Sequence, residues 1–233
     1  MAKIWIIKWG NNIEINGCTV RAEDFEKPIT YDMTSHPAIK NKITLNSNHD
    51  ADINIYTDGS KMGNRVGSSF VAYCNDEIID MKLYRLGEHC SNFQAELFAI
   101  LKATHWSDLK YTNTLITVNT DSASAIDLLL TTNYHPIANS IQKIINNSTN
   151  HYSIKWVRGH QGNFGNENAD ELAKLAAHND ELEISYKNIS IQTIKSMLWT
   201  DLNIKWQHEW NNCNTTTHDY IKDIPKFLKK QMV

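Results

Sequence analysis

From Ile53 onward the chain alternates between two hydrophobic rhythms. Ile53–Asp58 (INIYTD) places apolar side chains at every second position, and its β-branched and aromatic content predicts a strand. Gly59, Gly63 and Gly67 read as the turn that follows. Ser68–Cys74 (SSFVAYC) and Ile78–Leu86 (IIDMKLYRL) predict a second and a third strand, joined as an antiparallel meander. The period then changes. Within Ser91–Ser107, residues Phe93, Leu97, Ile100, Leu101 and Thr104 form the stripe of an amphipathic helix, with Ser91 or Asn92 as its cap. Leu115–Asp121 (LITVNTD) predicts a fourth strand, and Asp121 and Ser122 open a helix through Leu130. Ile137, Ile141, Ile144 and Ile145 mark a short helix, Tyr152–Val157 a fifth strand, and Gly165–His178 a last helix. The order β-β-β-α-β-α-(α)-β-α implies an α/β fold. It predicts one mixed five-stranded sheet, three antiparallel strands then parallel βα units, with helices on both faces, because parallel strands need helical crossovers.

Either side of this core the texture differs. Residues 1–50 mix short apolar pieces with Pro28, Pro37 and an Asn-rich stretch, and read as a weakly structured lead-in. Residues 179–233 open on a polar break (HNDELE), followed by a helix over about 190–211 and a Lys-bearing tail. The expected organisation is therefore a lead-in over 1–50, a catalytic-type domain over 51–178, and a helical extension over 179–233.

Composition narrows the class. The chain has 233 residues, 41% hydrophobic and 21% charged, which suits a folded domain with an appendage rather than disorder or coiled coil. No apolar run approaches the length of a membrane span, and the N-terminal stretch lacks a signal-peptide core. The four cysteines (Cys18, Cys74, Cys90, Cys213) are too scattered for a disulfide framework or a zinc site, which points to a reducing compartment, cytoplasmic or nuclear. A net charge of −3 excludes a strong non-specific affinity for nucleic acid, so any such binding needs a local patch or metal ions.

Four acids then draw notice: Asp58, Glu96, Asp121 and Asp170. Each has an ordinary alternative. Asp58 with Gly59 is a turn pair, Asp121 with Ser122 is a helix cap, and Asp170 is a solvated helix position. Glu96 is harder to dismiss, because it borders an apolar stripe where desolvation is costly. If the four converge, their carboxylates repel and their pKa values rise unless a cation sits among them. Hard divalent cations such as Mg²⁺ prefer oxygen ligands, and a pair of them can clamp the attacking and leaving oxygens of a phosphodiester.

The stretches Tyr56–Lys61 (YTDGSK), Phe93–Ile100 (FQAELFAI), Val118–Ser122 (VNTDS) and Ile154–Lys174 (IKWVRGHQGNFGNENADELAK) resemble the ribonuclease H family in order, spacing and wording. The last is the most specific. The wording around Glu96 is most similar to ribonuclease H domains at the C-terminal end of non-LTR retrotransposon polyproteins. Trp199, Trp206, Trp210, Thr215–Thr217 and Ile224-Pro225 look similar to the segment that follows the nuclease there. The resemblance implies metal-dependent hydrolysis of the RNA strand of an RNA–DNA hybrid, leaving 5′-phosphate and 3′-hydroxyl ends. It implies Asp58, Glu96, Asp121 and Asp170 as ligands of two Mg²⁺ ions, with Mn²⁺ as a substitute. His160 would serve proton transfer or product release on a loop that Gly159, Gly162 and Gly165 allow to move. Gly59, Ser60, Asn92, Gln94 and Asn166 would contact the hybrid, and a reverse transcriptase domain of the parent polyprotein is the implied partner.

Two features pull the other way. Between Asn133 and Ser153 the only Lys or Arg is Lys143, where some family members place a basic handle, and few phosphate contacts mean weak binding. Lys222, Lys226, Lys229 and Lys230 offer charge from the tail, or form a solvated tail. Trp199, Trp206 and Trp210 read, with Leu202, as a packing face, with base stacking as the alternative. A non-catalytic binding remnant and a DNA nuclease of the same fold therefore stay open beside the ribonuclease.

Overall fold

The computed structural model describes residues 12–15, 18–30, 42–45, 51–131, 134–159, 163–212 and 221–223. His160 and Gly162 lie outside the described residues. The strands in chain order are β1 (Ile13–Ile15), β2 (Cys18–Val20), β3 (Thr44–Leu45), β4 (Ile53–Met62), β5 (Arg65–Cys74), β6 (Glu77–Leu86), β7 (Leu115–Thr120), β8 (His151–Trp156) and β9 (Ile184–Tyr186). The helices are α1 (Asn92–Lys110), α2 (Ala123–Leu130), α3 (Pro136–Asn147), α4 (Phe164–His178) and α5 (Ile191–Asn211). Contacts divide the chain into two units, Glu26–Asn188 and Met1–Phe25 with Ile189–Val233. Among the described residues no helix is long and apolar enough to cross a membrane.

In the Glu26–Asn188 unit the sheet order is β3-β8-β7-β4-β5-β6-β9. β4, β5 and β6 form the antiparallel meander, while β7 and β8 run parallel to β4 on its other side. The expected five strands are all present. Two more, β3 and β9, pair in parallel at the two edges. At two and three residues they are too short to carry an alternation that sequence could register.

Neighbouring residues of a strand face opposite sides of the sheet, and the side-chain bonds show which helix covers each face. Ser68 donates its hydroxyl to the Ala95 carbonyl of α1 at 2.9 Å, and Ser69 donates to the Ala169 carbonyl of α4 at 2.6 Å. The α1 face holds the main core, with Ile53, Ile55, Phe70, Leu97, Ile100, Ile116 and Val118 all buried. The α4 face is thinner, built on Val71, Tyr73 and Ala169.

Expectation and structure differ on the glycines. β4 does not end at Asp58 but continues through Gly59 to Met62, and only Gly63, with φ of 61°, serves the turn. Gly59 and Gly67 are close-approach positions instead. A Cβ on Gly59 would lie 2.4 Å from the Glu96 backbone nitrogen, and one on Gly67 would lie 2.2 Å from the Ala173 carbonyl oxygen. Each lets a helix settle onto the sheet. Asp58 is thus a buried mid-strand residue, not a turn residue.

In the second unit β1 pairs with β2, and Ile15, Val20, Phe25, Ile189 and Ile194 form a small core. α5 is capped by Ser190, whose hydroxyl accepts from the Thr193 amide. Its tryptophans do not form the expected packing face among the described residues. Trp199 is 46% exposed and Trp206 40%, while Trp210 is half-buried and donates its indole N–H to the Ile221 carbonyl at 2.6 Å.

Candidate active site

β4 and β7 run parallel, with Thr57 opposite Thr120. The next residue in each segment is an aspartate, Asp58 within β4 and Asp121 just past the end of β7, so the two become electrostatic neighbours there. α4 brings a third. Ser69, the partner of Asp58 across β5, holds the Ala169 carbonyl, and the following residue, Asp170, reaches Asp58 both by charge and by a side-chain hydrogen bond. Glu96 comes from α1, which rests on β4 at Gly59, and it feels the charge of Asp121.

The four carboxylates therefore form a chain of neighbours, Glu96–Asp121–Asp58–Asp170. Their electrostatics show what this costs. Burial first, then repulsion from Asp121 and Asp170, push the Asp58 carboxyl up to about 8, against the Gly59 N–H that donates to it at 2.8 Å. Burial and Asp121 also raise Glu96, opposed by hydrogen bonds from Ser122 and Asn92. A carboxyl that stays protonated near neutral pH marks a site short of positive charge.

Among the described residues, no three His, Cys, Asp or Glu side chains form a ready-made cage around one point. The reason is visible in the side-chain partners. Asp170 turns to the Lys174 ammonium, at 2.5 Å, and Glu96 accepts from the Asn92 amide at 2.7 Å. The donor set still fits a hard divalent cation: it is all oxygen, and Asp58 is repelled by both Asp121 and Asp170.

Of the expected contact residues, Gly59 and Ser60 lie on β4 beside Asp58, with Ser60 buried. Asn92 is exposed on the first turn of α1. Gln94 is fully buried, and its amide is fully engaged within the protein, so its side chain offers no free donor or acceptor to a substrate. Asn166, one turn before Asp170 on α4, is buried, and its side-chain oxygen lacks a hydrogen-bond partner among the described residues.

Several neighbours make contacts that the sequence reading did not assign them. Trp156 donates its indole N–H to the Asp121 carbonyl at 3.1 Å. Ser122, the cap of α2, also hydrogen-bonds Glu96. A Cβ on Gly159 would lie 2.7 Å from the Asp121 carboxylate, and one on Gly165 would lie 2.4 Å from the Tyr56 ring, so both glycines make room instead of serving as hinges alone. Lys174 could have been found from its i,i+4 spacing to Asp170. The indole bond had no sequence signal.

Comparison with known proteins gives a consistent result. Residues 50–178 match the family model for RNase H. A ribonuclease H of Schizosaccharomyces pombe is 29% identical over 144 residues, which cover 53% of this chain and 52% of that protein. A ribonuclease H of Ruthia magnifica is 31% identical over 138 residues, covering 52% of this chain and 92% of that protein. The chain thus spans about half the length of the first relative and most of the second. Among solved structures, RNase H1 from the halophilic archaeon Halobacterium salinarum is similar at a TM-score of 0.46 and 23% identity, over 53% of this chain and 96% of that one.

Proposed function

Since the chain belongs to the ribonuclease H family, we propose that it is a metal-dependent endoribonuclease that hydrolyses the RNA strand of RNA–DNA hybrids, leaving 5′-phosphate and 3′-hydroxyl ends. The observation that carries this reading is the register that sets the buried Asp58 beside Asp121 at the end of β7 and beside Asp170 of α4, so that three carboxylates crowd together. Burial and that crowding raise the Asp58 carboxyl, and a cation bound there would offset both.

Asp58, Glu96, Asp121 and Asp170 would hold two Mg²⁺ ions, with Mn²⁺ as a substitute, which supply the positive charge that activates a water and steadies the leaving oxygen. The chain's own residues set the stage. Gly159 keeps the space beside the Asp121 carboxylate free of side-chain bulk, and Gly59 lets the Glu96 backbone lie against β4. Ser122 and Asn92 orient Glu96, and Trp156 fixes the backbone of Asp121. Lys174 balances Asp170. Asn166, one turn from Asp170, would contact the RNA strand by its place in the motif, its buried side-chain oxygen turning outward to accept from a 2′-hydroxyl or another donor. His160 is assigned proton transfer or product release by its place in the motif. Gly59, Ser60 and Asn92 would contact the hybrid; Gln94, fully buried, would hold the turn of α1 that carries Asn92.

The wider context we infer is the C-terminal part of a non-LTR retrotransposon polyprotein, with a reverse transcriptase domain as partner. Its support is the wording around Glu96 and the tryptophan-bearing segment after the nuclease. Reading the transcript upstream of Met1 tests it: a polymerase reading frame is expected, and an untranslated leader would contradict it.

The enzymatic reading is tested by incubating the purified chain with labelled RNA–DNA hybrid and double-stranded DNA while Mg²⁺ is varied. Cleavage of the RNA strand alone, dependent on the ion, is expected. Binding without cleavage would favour a non-catalytic remnant, a reading supported by the single Lys143 between residues 133 and 153. Cleavage of the DNA duplex would favour a DNA nuclease of this fold.

A further inference from the structure

The first turn of α1 is anchored by residues outside the span that matches the family. Glu26 is 7% exposed, although it precedes the matched region by more than twenty positions. One of its carboxylate oxygens accepts from the Gln94 side-chain amide at 3.0 Å and from the Tyr186 hydroxyl at 2.5 Å. Its other oxygen lies 3.6 Å from the His135 Nε2. The same Gln94 amide donates to the Asn188 carbonyl at 3.1 Å. Glu26, Tyr186 and Asn188 all fall outside residues 50–178.

Gln94 is the pivot. Its side-chain oxygen accepts from the Ser91 amide at 2.9 Å while the Ser91 hydroxyl accepts from the Gln94 backbone N–H at 3.1 Å, a reciprocal capping box. With both amide hydrogens donated outward and the oxygen turned inward, the hydrogen-bonding capacity of the side chain is fully used. A fully buried side chain bonded on every side fixes the turn that carries it. That turn bears Asn92, which donates to Glu96, and it leads to the Glu96 backbone lying against Gly59. The ring of Phe93, in the same turn, meets the His135 ring edge-on at 5.9 Å.

We propose that Glu26, together with Tyr186 and Asn188, forms a clamp from the flanks that positions the first turn of α1 and through it the Glu96 carboxylate. Glu26 is a positioning residue: it touches no atom of Glu96 and acts on it chiefly through Gln94. The family domain of this chain is accordingly incomplete without its flanks. The inference rests on the metal-site reading above for its effect on the ion, but its effect on α1 stands apart from that reading.

The test uses the full chain with Glu26→Ala, Glu26→Gln and Tyr186→Phe, measuring amide hydrogen exchange, the Mg²⁺ concentration for half-maximal hybrid cleavage, and KM for the hybrid. Glu26→Ala should speed exchange at Ala95 and Glu96 by about tenfold, on the scale of one or two lost buried hydrogen bonds, while α4 amides stay unchanged. It should raise half-saturating Mg²⁺ by about threefold to tenfold and leave KM within about twofold. Glu26→Gln should restore most of both, because its amide oxygen still accepts from Tyr186. Tyr186→Phe, which removes one donor, should shift both in the same direction by a smaller factor and serves if Glu26→Ala does not fold. Unchanged exchange at Ala95 and Glu96 overturns the clamp. So does equal acceleration in α1 and α4, or a Glu26→Gln variant that behaves as Glu26→Ala. A parent chain that cuts no hybrid would defeat the functional reading, while the exchange pattern would still decide the clamp.

Discussion

Asp58 and Asp80 are the same residue type in the same sheet, two strands apart, and the protein treats them in opposite ways. On β6, burial is the largest single influence on Asp80 and raises it, but hydrogen bonds from the Trp106 indole and the Met81 amide, with Lys82 at 3.5 Å, together draw its carboxyl below the ordinary value. On β4, Asp58 receives one backbone N–H and faces two further carboxylates. The first arrangement is a finished structural bond. The second is, on the proposed reading, completed by a cation. A half-buried acid with donors ties a strand to a helix, whereas a buried acid among acids is the arrangement a cation would relieve.

Exchanging the two carboxylates for amides should separate these roles most sharply. Asp58→Asn keeps an acceptor for the Gly59 N–H and removes a charge, so hybrid cleavage should fall by at least about a hundredfold while the metal-free protein melts higher at pH 8. Asp80→Asn should leave cleavage within about twofold and lower the melting temperature slightly, since it weakens the bond to Trp106. Steady-state cleavage and thermal melts check both.

The pH dependence of stability should also differ in sign. The folded-state pKa of Asp58 lies above its unfolded value, so its favourable contribution is full below about pH 4 and is lost as pH rises toward about 8. The loss is of order a few kcal/mol in the metal-free protein, and Mg²⁺ added at pH 8 should recover it. Asp80, whose pKa is depressed, contributes above its unfolded pKa and loses that contribution as pH falls. Melting each amide variant across this range isolates the two slopes.

Glycine substitutions sharpen the comparison next. Gly59→Ala meets backbone, the Glu96 nitrogen at 2.4 Å, and should destabilise by about 1–3 kcal/mol because α1 has to shift. Gly159→Ala meets the movable end of Asp121 at 2.7 Å, so it should cost little stability and still reduce cleavage by about tenfold. Denaturant melts beside cleavage rates distinguish the two. The smallest effect belongs to Lys174→Ala. Freed from the ammonium, Asp170 should bind Mg²⁺ about twofold more tightly in calorimetric titration without substrate, since an exposed ion pair is worth little.

What sequence could reveal followed element length and period. The ten-residue strands, α1 and α4 are long enough for their apolar positions to register, and they were legible, as was the α/β order. β3 and β9 were not, because edge pairing over two or three residues leaves no rhythm. The acids were legible only through the wording around them: by spacing alone Asp58 looked like a turn and Asp121 like a cap. Turn-like glycines hid close packing, since a glycine that admits a helix and one that turns a hairpin are the same letter. The donors around the acids, Trp156 and Ser122, depend on strand register, which no local pattern encodes. Gln94 was read as a contact with the hybrid, and its burial came from Glu26 and Asn188, distant in sequence.

The most direct measurement is a carboxyl-carbon NMR titration of Asp58 with and without Mg²⁺. Midpoints near 8 without the ion, falling into the ordinary carboxylate range when it is added, are the expected result. A midpoint near 4 in both conditions would contradict a cation shared among Asp58, Glu96, Asp121 and Asp170.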